Sequence, residues 1–185
     1  MVDLGALMLP ILVSAILVFF ASVLLHIVLP FHRRDYGQVP SEDAVMDAVR
    51  PFGIAPGDYM VPCPHSPADS RTPAFAAKLK KGPVIIMTVM QPGEMRMGGR
   101  LAAWFLFCVI VGLFSGYLTS RALPAGAPYL EVFRFAGTVA FVGYAMALWE
   151  NTIWYSRAWT TTLKSTIDGL VYGLLTGGAF GWLWP

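Results

Sequence analysis

A long apolar stretch, GALMLPILVSAILVFFASVLLHIVLP, occupies residues 5–30. A helix needs about 20 predominantly apolar residues to cross the hydrocarbon core of a bilayer. This stretch is longer and contains no Asp, Glu, Lys or Arg, so it predicts a transmembrane helix. The segment before it carries Asp3 but neither Lys nor Arg, unlike the basic start of a signal peptide. We therefore expect this helix to be a retained anchor, separate from the other spans.

Three similar stretches follow at Leu101–Ser120, Tyr129–Trp149 and Thr166–Trp184. Charged residues make up only 13% of the chain, against about 25% of an average soluble domain. The composition therefore predicts an all-α integral membrane protein with four transmembrane helices and a small α/β insert between the first two. Residues 1–31 hold the first helix, residues 32–100 the insert, and residues 101–185 the other three helices.

The distribution of basic residues predicts the orientation, because cytoplasmic loops carry an excess of Lys and Arg. All of the 13 Lys and Arg residues except Arg121 and Arg134 lie in the insert or between the third and fourth spans. We therefore expect a cytoplasmic insert and both termini outside, in the inner (cell) membrane of a bacterium. The basic residues closest to the ends of the first two spans are Arg33, Arg34, Arg96 and Arg100.

The insert contains enough turn and cap signals to predict a small ordered unit. Pro56-Gly57 is typical of a type II turn, with proline at the second and glycine at the third position. The expected helices are Glu42–Val49, capped by Ser41, and a second one that begins at Thr72-Pro73 and stops at Gly82. The expected strands are Asp58–Val61 and Val84–Met90. The second strand is apolar on both faces, so we expect the insert to fold partly against the membrane or a partner.

Small residues mark the last three spans as helix-packing surfaces. Helices in lipid associate where small residues let their backbones approach closely. Glycine also costs about 1 kcal/mol relative to alanine inside a helix, so a glycine stripe indicates a close contact. That contact could lie within the chain or against a partner. The predicted packing residues are Gly112, Gly116, Gly169, Gly173, Gly177 and Gly181.

Chemical signatures are sparse. Cys63 and His65 are the nearest approach to a metal motif, with His32, Asp35 and Asp69 as conceivable additions, but paired ligands on both sides of a loop are missing. No catalytic motif appears. We therefore predict no catalytic residue, no metal site and no cofactor.

Ionisable residues near the span ends are expected to have structural roles. His26 lies about one turn before Pro30 and can reach the interface or a neighbouring helix. Glu131 and Arg134 are spaced three apart and can form an ion pair on one helical face. Lys164 and Asp168 are four apart at the inner start of the fourth span, where Asp168 suits the positive end of the helix.

Three functional classes follow from these patterns. The first is a non-enzymatic accessory, scaffold or assembly subunit of a larger membrane complex, bound to lipid and to other subunits or to copies of itself. The second is a small oligomeric transporter or channel. The third is an enzyme at the membrane interface that uses His32, Asp35, Cys63 and His65. No basic stripe with interleaved aromatic residues is present, so no nucleic-acid partner is expected.

Overall fold

The computed structural model describes residues 2–93 and 97–185 and is mostly helical. The chain forms two compact units, one built from Met1–Gly37 with Arg96–Pro185 and the other from Gln38–Met95. The first unit therefore extends to Gly37, beyond the boundary expected after residue 31. Arg96, one of the basic residues used to predict the orientation, lies outside the described residues.

Five helices build the first unit. They are α1 (Met8–Val23), α4 (Met97–Ala122), α5 (Tyr129–Ala145), α6 (Trp149–Tyr155) and α7 (Trp159–Trp182). Among the described residues, three helical segments are long and apolar enough to cross a membrane: Gly5–Val28, Met97–Ala122 and Tyr129–Tyr155. The last two contain the second and third predicted spans, and the first ends two residues before the end of the first predicted span. The fourth prediction falls mostly in α7, which is helical over 24 residues but is not among these segments. Its first half carries Lys164 and Asp168 together with several threonines.

The expectation that the first helix is a separate anchor is wrong. α1 packs against both α4 and α7, and Leu7, Ile11, Ala15 and Val18 are almost completely buried. The Trp104 indole N–H of α4 donates a hydrogen bond to the Ser22 hydroxyl of α1 at 2.8 Å. The first helix is therefore an integral part of the helical unit, because one of its faces is covered by two other helices.

The helical unit exposes large apolar side chains on its outer surface, for example Leu9 at 59%, Phe20 at 66% and Leu106 at 59%. Its interior contains apolar side chains together with polar or charged ones. Among the described residues, the buried polar or charged ones are Ser14, Ser22, Ser115, Thr119, Ser120, Thr152, Thr161, Thr162, Asp168 and Thr176. Soluble monomers rarely expose apolar surface on this scale, since water disfavours it.

The second unit contains two helices, α2 (Glu42–Val49) and α3 (Pro73–Lys81), and two strands, β1 (Gly57–Val61) and β2 (Ile85–Val89). The strands pair antiparallel, with Gly57 opposite Val89. Thr72 caps α3 as expected, since its hydroxyl accepts a hydrogen bond from the Phe75 N–H at 3.2 Å. Gly82 ends α3 at φ 61°, a conformation that glycine adopts without strain.

Two local predictions for this unit are wrong. Ser41 precedes α2, but its backbone is left-handed (φ 54°) and its side chain makes no capping hydrogen bond. Gly57 is the first residue of β1 rather than the third residue of a type II turn, and it has no positive φ. Serine and glycine each adopt more than one backbone conformation, so the residue type alone does not decide. At Gly57, pairing with Val89 of β2 selects the extended conformation.

Candidate functional site

The end of the first helix carries two histidines on a tight reversal of the chain. α1 continues into one turn of π-helix at Leu24–Val28, which contains His26. Pro30 then ends the helix, because proline lacks an N–H and forces the preceding residue away from helical angles. Leu29 is accordingly extended, and a 3₁₀ turn at Pro30–His32 follows. This reversal stacks the His26 and His32 rings with centroids 4.2 Å apart and planes 9° apart.

The first half of α7 brings two charged residues to these histidines. The Asp168 carboxylate oxygen Oδ2 lies 2.9 Å from His32 Nε2 and 3.7 Å from His26 Nε2. The Lys164 ammonium group donates a hydrogen bond to Asp35 Oδ1 at 2.7 Å. Lys164 and Asp168, which lie four apart on α7, therefore each have a partner at the end of the first helix, namely Asp35 and His32.

Asp35 connects the two halves of this cluster. Its Oδ2 accepts a hydrogen bond from His32 Nδ1 at 2.6 Å while its Oδ1 accepts from Lys164. Burial raises the pKa of Asp35, but the hydrogen bonds and charges of Lys164 and His32 outweigh burial and bring the pKa below its usual value of 3.8. Asp35 is therefore a carboxylate at neutral pH, and it can only accept hydrogen bonds from its neighbours.

Hydrogen bonding determines the tautomer of both imidazole rings. His26 Nδ1 lies 3.2 Å from the Ser22 carbonyl oxygen, and His32 Nδ1 bonds the Asp35 carboxylate. A carbonyl and a carboxylate have no proton to give, so Nδ1 carries the proton in both rings. In the neutral form both Nε2 atoms then present a lone pair, and both face the same Asp168 oxygen.

Asp168 is the residue of the cluster whose hydrogen-bonding capacity is least used. The residue is 3% exposed, and its Oδ1 has no hydrogen-bond partner among the described residues. His32 Nε2 also makes no hydrogen bond there, although Asp168 Oδ2 lies only 2.9 Å away. A buried carboxylate without hydrogen bonds is costly unless a cation compensates its charge.

Three of these residues form a candidate ligand set for a metal ion. One ligand atom each from His26, His32 and Asp168 lie within 4.8 Å of one another. Bonds of about 2.0–2.2 Å in tetrahedral geometry would separate such atoms by roughly 3.4 Å. His26, whose side chain is 48% exposed, is the ligand with room to move toward the other two. Ligating histidines commonly donate their other N–H to a carboxylate or carbonyl, as both rings do here.

The site faces a cavity of about 580 Å³ inside the helical unit. His26 and Asp168 line this cavity together with aromatic and aliphatic side chains of α1, α4, α5 and α7. A metal ion held by three protein ligands would therefore keep a fourth position open beside this cavity. That is the arrangement of catalytic zinc sites, whereas structural sites use four protein ligands.

The other chemical candidates are not assembled in the described residues. Cys63, His65 and Asp69 lie in the insert unit, and they form no three-ligand cluster within residues 2–93 and 97–185. Cys63 is exposed, with a free thiol. Glu131 and Arg134 form no ion pair in the part of the chain that the structure describes, contrary to the predicted pairing; instead both residues line a shallow surface pocket.

The glycine residues of α7 face α5. A Cβ atom at Gly173 would lie 2.9 Å from the Gly137 carbonyl oxygen, and one at Gly177 would lie 2.6 Å from the Phe133 carbonyl oxygen. At Gly169 and Gly181 an added Cβ would meet Ala145 at 2.7 Å and Tyr129 at 2.8 Å. On α4, a Cβ at Gly112 would meet Ser14 of α1 at 3.3 Å, and one at Gly116 would meet Phe180 of α7 at 3.0 Å. These glycines permit close helix contacts within the chain.

Sequence reasoning missed the grouping of His26 with His32 and Asp168. The signal was present in the predicted topology, which puts the end of the first span and the start of the fourth on the same side of the membrane. Ionisable residues at those two positions therefore share one depth. The sequence did not show which helices are neighbours. The contact between α7 and the end of the first helix is what brings Asp168 to the two histidines.

Comparisons of the chain with protein-family models, with curated proteins and with solved structures found no match.

Proposed function

We propose that this chain is an integral membrane protein that binds a divalent transition metal ion through His26, His32 and Asp168. The observation that carries the proposal is the convergence of His26 Nε2 and His32 Nε2 on one oxygen of the buried Asp168 carboxylate, at 3.7 and 2.9 Å. A metal ion held by these three groups would coordinate both ring nitrogens and compensate the charge of the carboxylate.

Charge balance supports a cation at this site. The cluster contains two carboxyl groups, those of Asp35 and Asp168, and one ammonium group, that of Lys164, which pairs with Asp35. A cation beside Asp168 would compensate the second carboxylate. Two imidazoles and one carboxylate are ligands that zinc accepts readily, and the same set also binds ferrous iron. Zinc is the simpler probe because it has no redox chemistry.

The membrane location rests on the large apolar side chains that the helical unit exposes. Apolar side chains outside, with hydroxyl groups buried among apolar ones inside, suit a lipid environment, where polar groups face the interior of the bundle. α7 fits as a fourth span because its exposed stripe is apolar, with Leu163, Ile167, Leu170 and Leu174 each about half exposed. Its polar and glycine residues face inward, and they lower its mean hydropathy without contacting lipid.

The basic residues support a cytoplasmic insert with both termini outside, in a bacterial inner membrane. In that orientation the metal site lies at the cytoplasmic end of the bundle, where the first span ends and α7 begins. Metal ions would then reach it from the cytoplasm rather than through the bilayer.

Zinc binding by the purified full-length protein tests the metal proposal. The detergent-solubilised chain is stripped with a chelator and titrated with Zn²⁺ against a fluorescent chelator. We expect one zinc ion per chain, and its loss in His32→Ala and in Asp168→Asn. His65→Ala is the matched control, since His65 is the remaining histidine and lies in the insert unit.

Two outcomes would overturn the metal site. One is the absence of stoichiometric zinc binding by the wild-type chain. The other is a loss of zinc in His65→Ala as large as that in His32→Ala. A protonated His32 that bridges Asp35 and Asp168 would explain the first outcome, and His32→Ala would then lower thermal stability without any effect of zinc.

A second candidate function, an assembly or scaffold subunit, is favoured by one feature of the insert. No described residue of the insert unit is buried, and apolar side chains such as Phe52 (77% exposed) and Ile86 (48% exposed) remain accessible. A unit with so little core gains stability by covering this surface with a partner. Purification from native membranes in mild detergent tests this function, and a chain that co-purifies with nothing contradicts it.

A further inference from the structure

A short connector, residues 31–37, joins the end of the first helix to the insert unit, which begins at Gln38 in the chain. The connector contains His32, one of the proposed metal ligands, and Asp35, which accepts a hydrogen bond from it. None of the residues of the connector is buried. Burial of apolar side chains therefore contributes little to holding it in place.

Polar side-chain contacts attach the connector to α7. Asp35 accepts a hydrogen bond from the Lys164 ammonium group at 2.7 Å, and that group also lies 5.5 Å from the centroid of the Phe31 ring, a cation–π distance. His32 Nε2 lies 2.9 Å from Asp168 Oδ2. No backbone hydrogen bond joins the connector to α7 among the described residues. The attachment therefore depends on two residues of α7, Lys164 and Asp168.

The two attachments differ in what they require. The Lys164 ammonium group and the Asp35 carboxylate form a complete ion pair within the protein. The contact of His32 with Asp168 contains no hydrogen bond, and a metal ion between the two groups would join them. The proposed ligands also come from three separate parts of the chain, because His26 lies on the π-helical turn, His32 on the connector and Asp168 on α7. Movement of the connector away from α7 would therefore separate the ligands.

We propose that metal binding at His26, His32 and Asp168 regulates the connector: the metal-bound protein holds the connector on α7, and the metal-free protein releases it more often. The Lys164–Asp35 ion pair is the second attachment and does not need the metal. This inference rests on the proposed metal-binding function. A ligand that binds only one of two states shifts their ratio by 1 + [L]/Kd, so free zinc at 100 times its Kd lowers the released fraction about 100-fold. The start of the insert thereby responds to the metal.

Limited proteolysis of the full-length protein in detergent tests this regulation. Trypsin cleaves after Arg33 and Arg34, which are both exposed on the connector. A protease needs a locally unfolded stretch of chain as well as an exposed side chain, so the cleavage rate reports the released fraction. We expect saturating zinc to slow cleavage there by about 10- to 100-fold relative to chelator-stripped protein. Cleavage after Lys80 on α3 of the insert unit, followed in the same digest, is the internal control and should not change.

The second attachment has its own variant. Lys164→Met removes the ammonium group and leaves all three proposed metal ligands in place. In zinc-free protein it should speed cleavage after Arg33 by about 10-fold or more, the effect of losing one hydrogen bond between charged groups. Zinc should slow cleavage of this variant again. Lys78→Met is the matched control, because Lys78 is an exposed lysine of the insert unit, and it should leave the cleavage rate at Arg33 unchanged.

Zinc titration of the same samples separates this inference from the proposed function. One bound zinc ion without slower cleavage after Arg33 overturns the regulation and leaves the metal site standing. Equal slowing after Arg33 and after Lys80 also overturns it, because the effect would then not be local to the connector. A wild-type rate in zinc-free Lys164→Met contradicts the second attachment. Failure of the metal site itself is read from the titration alone, as the absence of stoichiometric zinc binding.

Discussion

Replacing Gly177 with alanine tests how closely α7 packs against α5. The added Cβ would lie 2.6 Å from the Phe133 carbonyl oxygen and 3.1 Å from the Gly137 Cα atom. Both are backbone atoms of a helix, so neither can move aside as a flexible side chain would. The two helices must separate, and the contacts around Gly173 on the same face weaken with them.

The adjacent Gly178 provides a matched control on the same helix. An added Cβ there would have only the Tyr129 hydroxyl within reach, at 3.9 Å. Each alanine raises helix propensity by about 1 kcal/mol, and this term cancels when the two variants are compared. Overpacking a close contact costs about 1–3 kcal/mol. Gly177→Ala should therefore be less stable than Gly178→Ala by about 1–3 kcal/mol.

Thermal unfolding of the purified protein in detergent measures this difference. Each kcal/mol corresponds to about 2–4 °C in Tm for a chain of this size, so Gly177→Ala should melt several degrees below Gly178→Ala. Equal melting temperatures would refute the packing argument. A change of oligomeric state in Gly177→Ala without a loss of stability would instead locate this glycine face between chains.

Three further outcomes follow from the structure. Asp35→Asn should weaken zinc binding by about 10–100-fold in chelator competition, because it removes the carboxylate that orients the His32 ring. Asp47→Asn, on the insert surface, is the control and should leave zinc binding unchanged. Trp104→Phe should lower the free energy of unfolding by about 0.5–1.5 kcal/mol through the lost hydrogen bond to Ser22, measured by denaturation in detergent. A periplasm-dependent reporter fused after Pro185 should be active, and activity of a cytoplasm-dependent reporter there contradicts the proposed orientation.

Several elements were predictable because their causes are local. α2 over Glu42–Val49 matches its predicted bounds. The cap at Thr72 also depends only on residues within one helical turn. The strand predicted at Val84–Met90 is shorter by one residue at each end, as Ile85–Val89, since strand ends depend on pairing with β1.

The candidate site could not be predicted in the same way. His26 and His32 are near each other in sequence, but Lys164 and Asp35 are separated by 129 positions. Lys164 and Asp168 lie four positions apart on one helix, but their partners come from a distant part of the chain. α7 packs against the end of the first helix and so brings Lys164 to Asp35 and Asp168 to His32.

The amino-acid sequence by itself determined which segments are apolar enough to cross a membrane, and where caps and breakers such as Pro30 and Gly82 end the helices. Those properties depend on composition and on interactions within a few residues. Only the tertiary structure decided that the first helix packs within the bundle, and that Asp168 meets two histidines beside a cavity. Those contacts depend on which helix faces lie together, and glycines such as Gly177 allow two of these faces to approach closely.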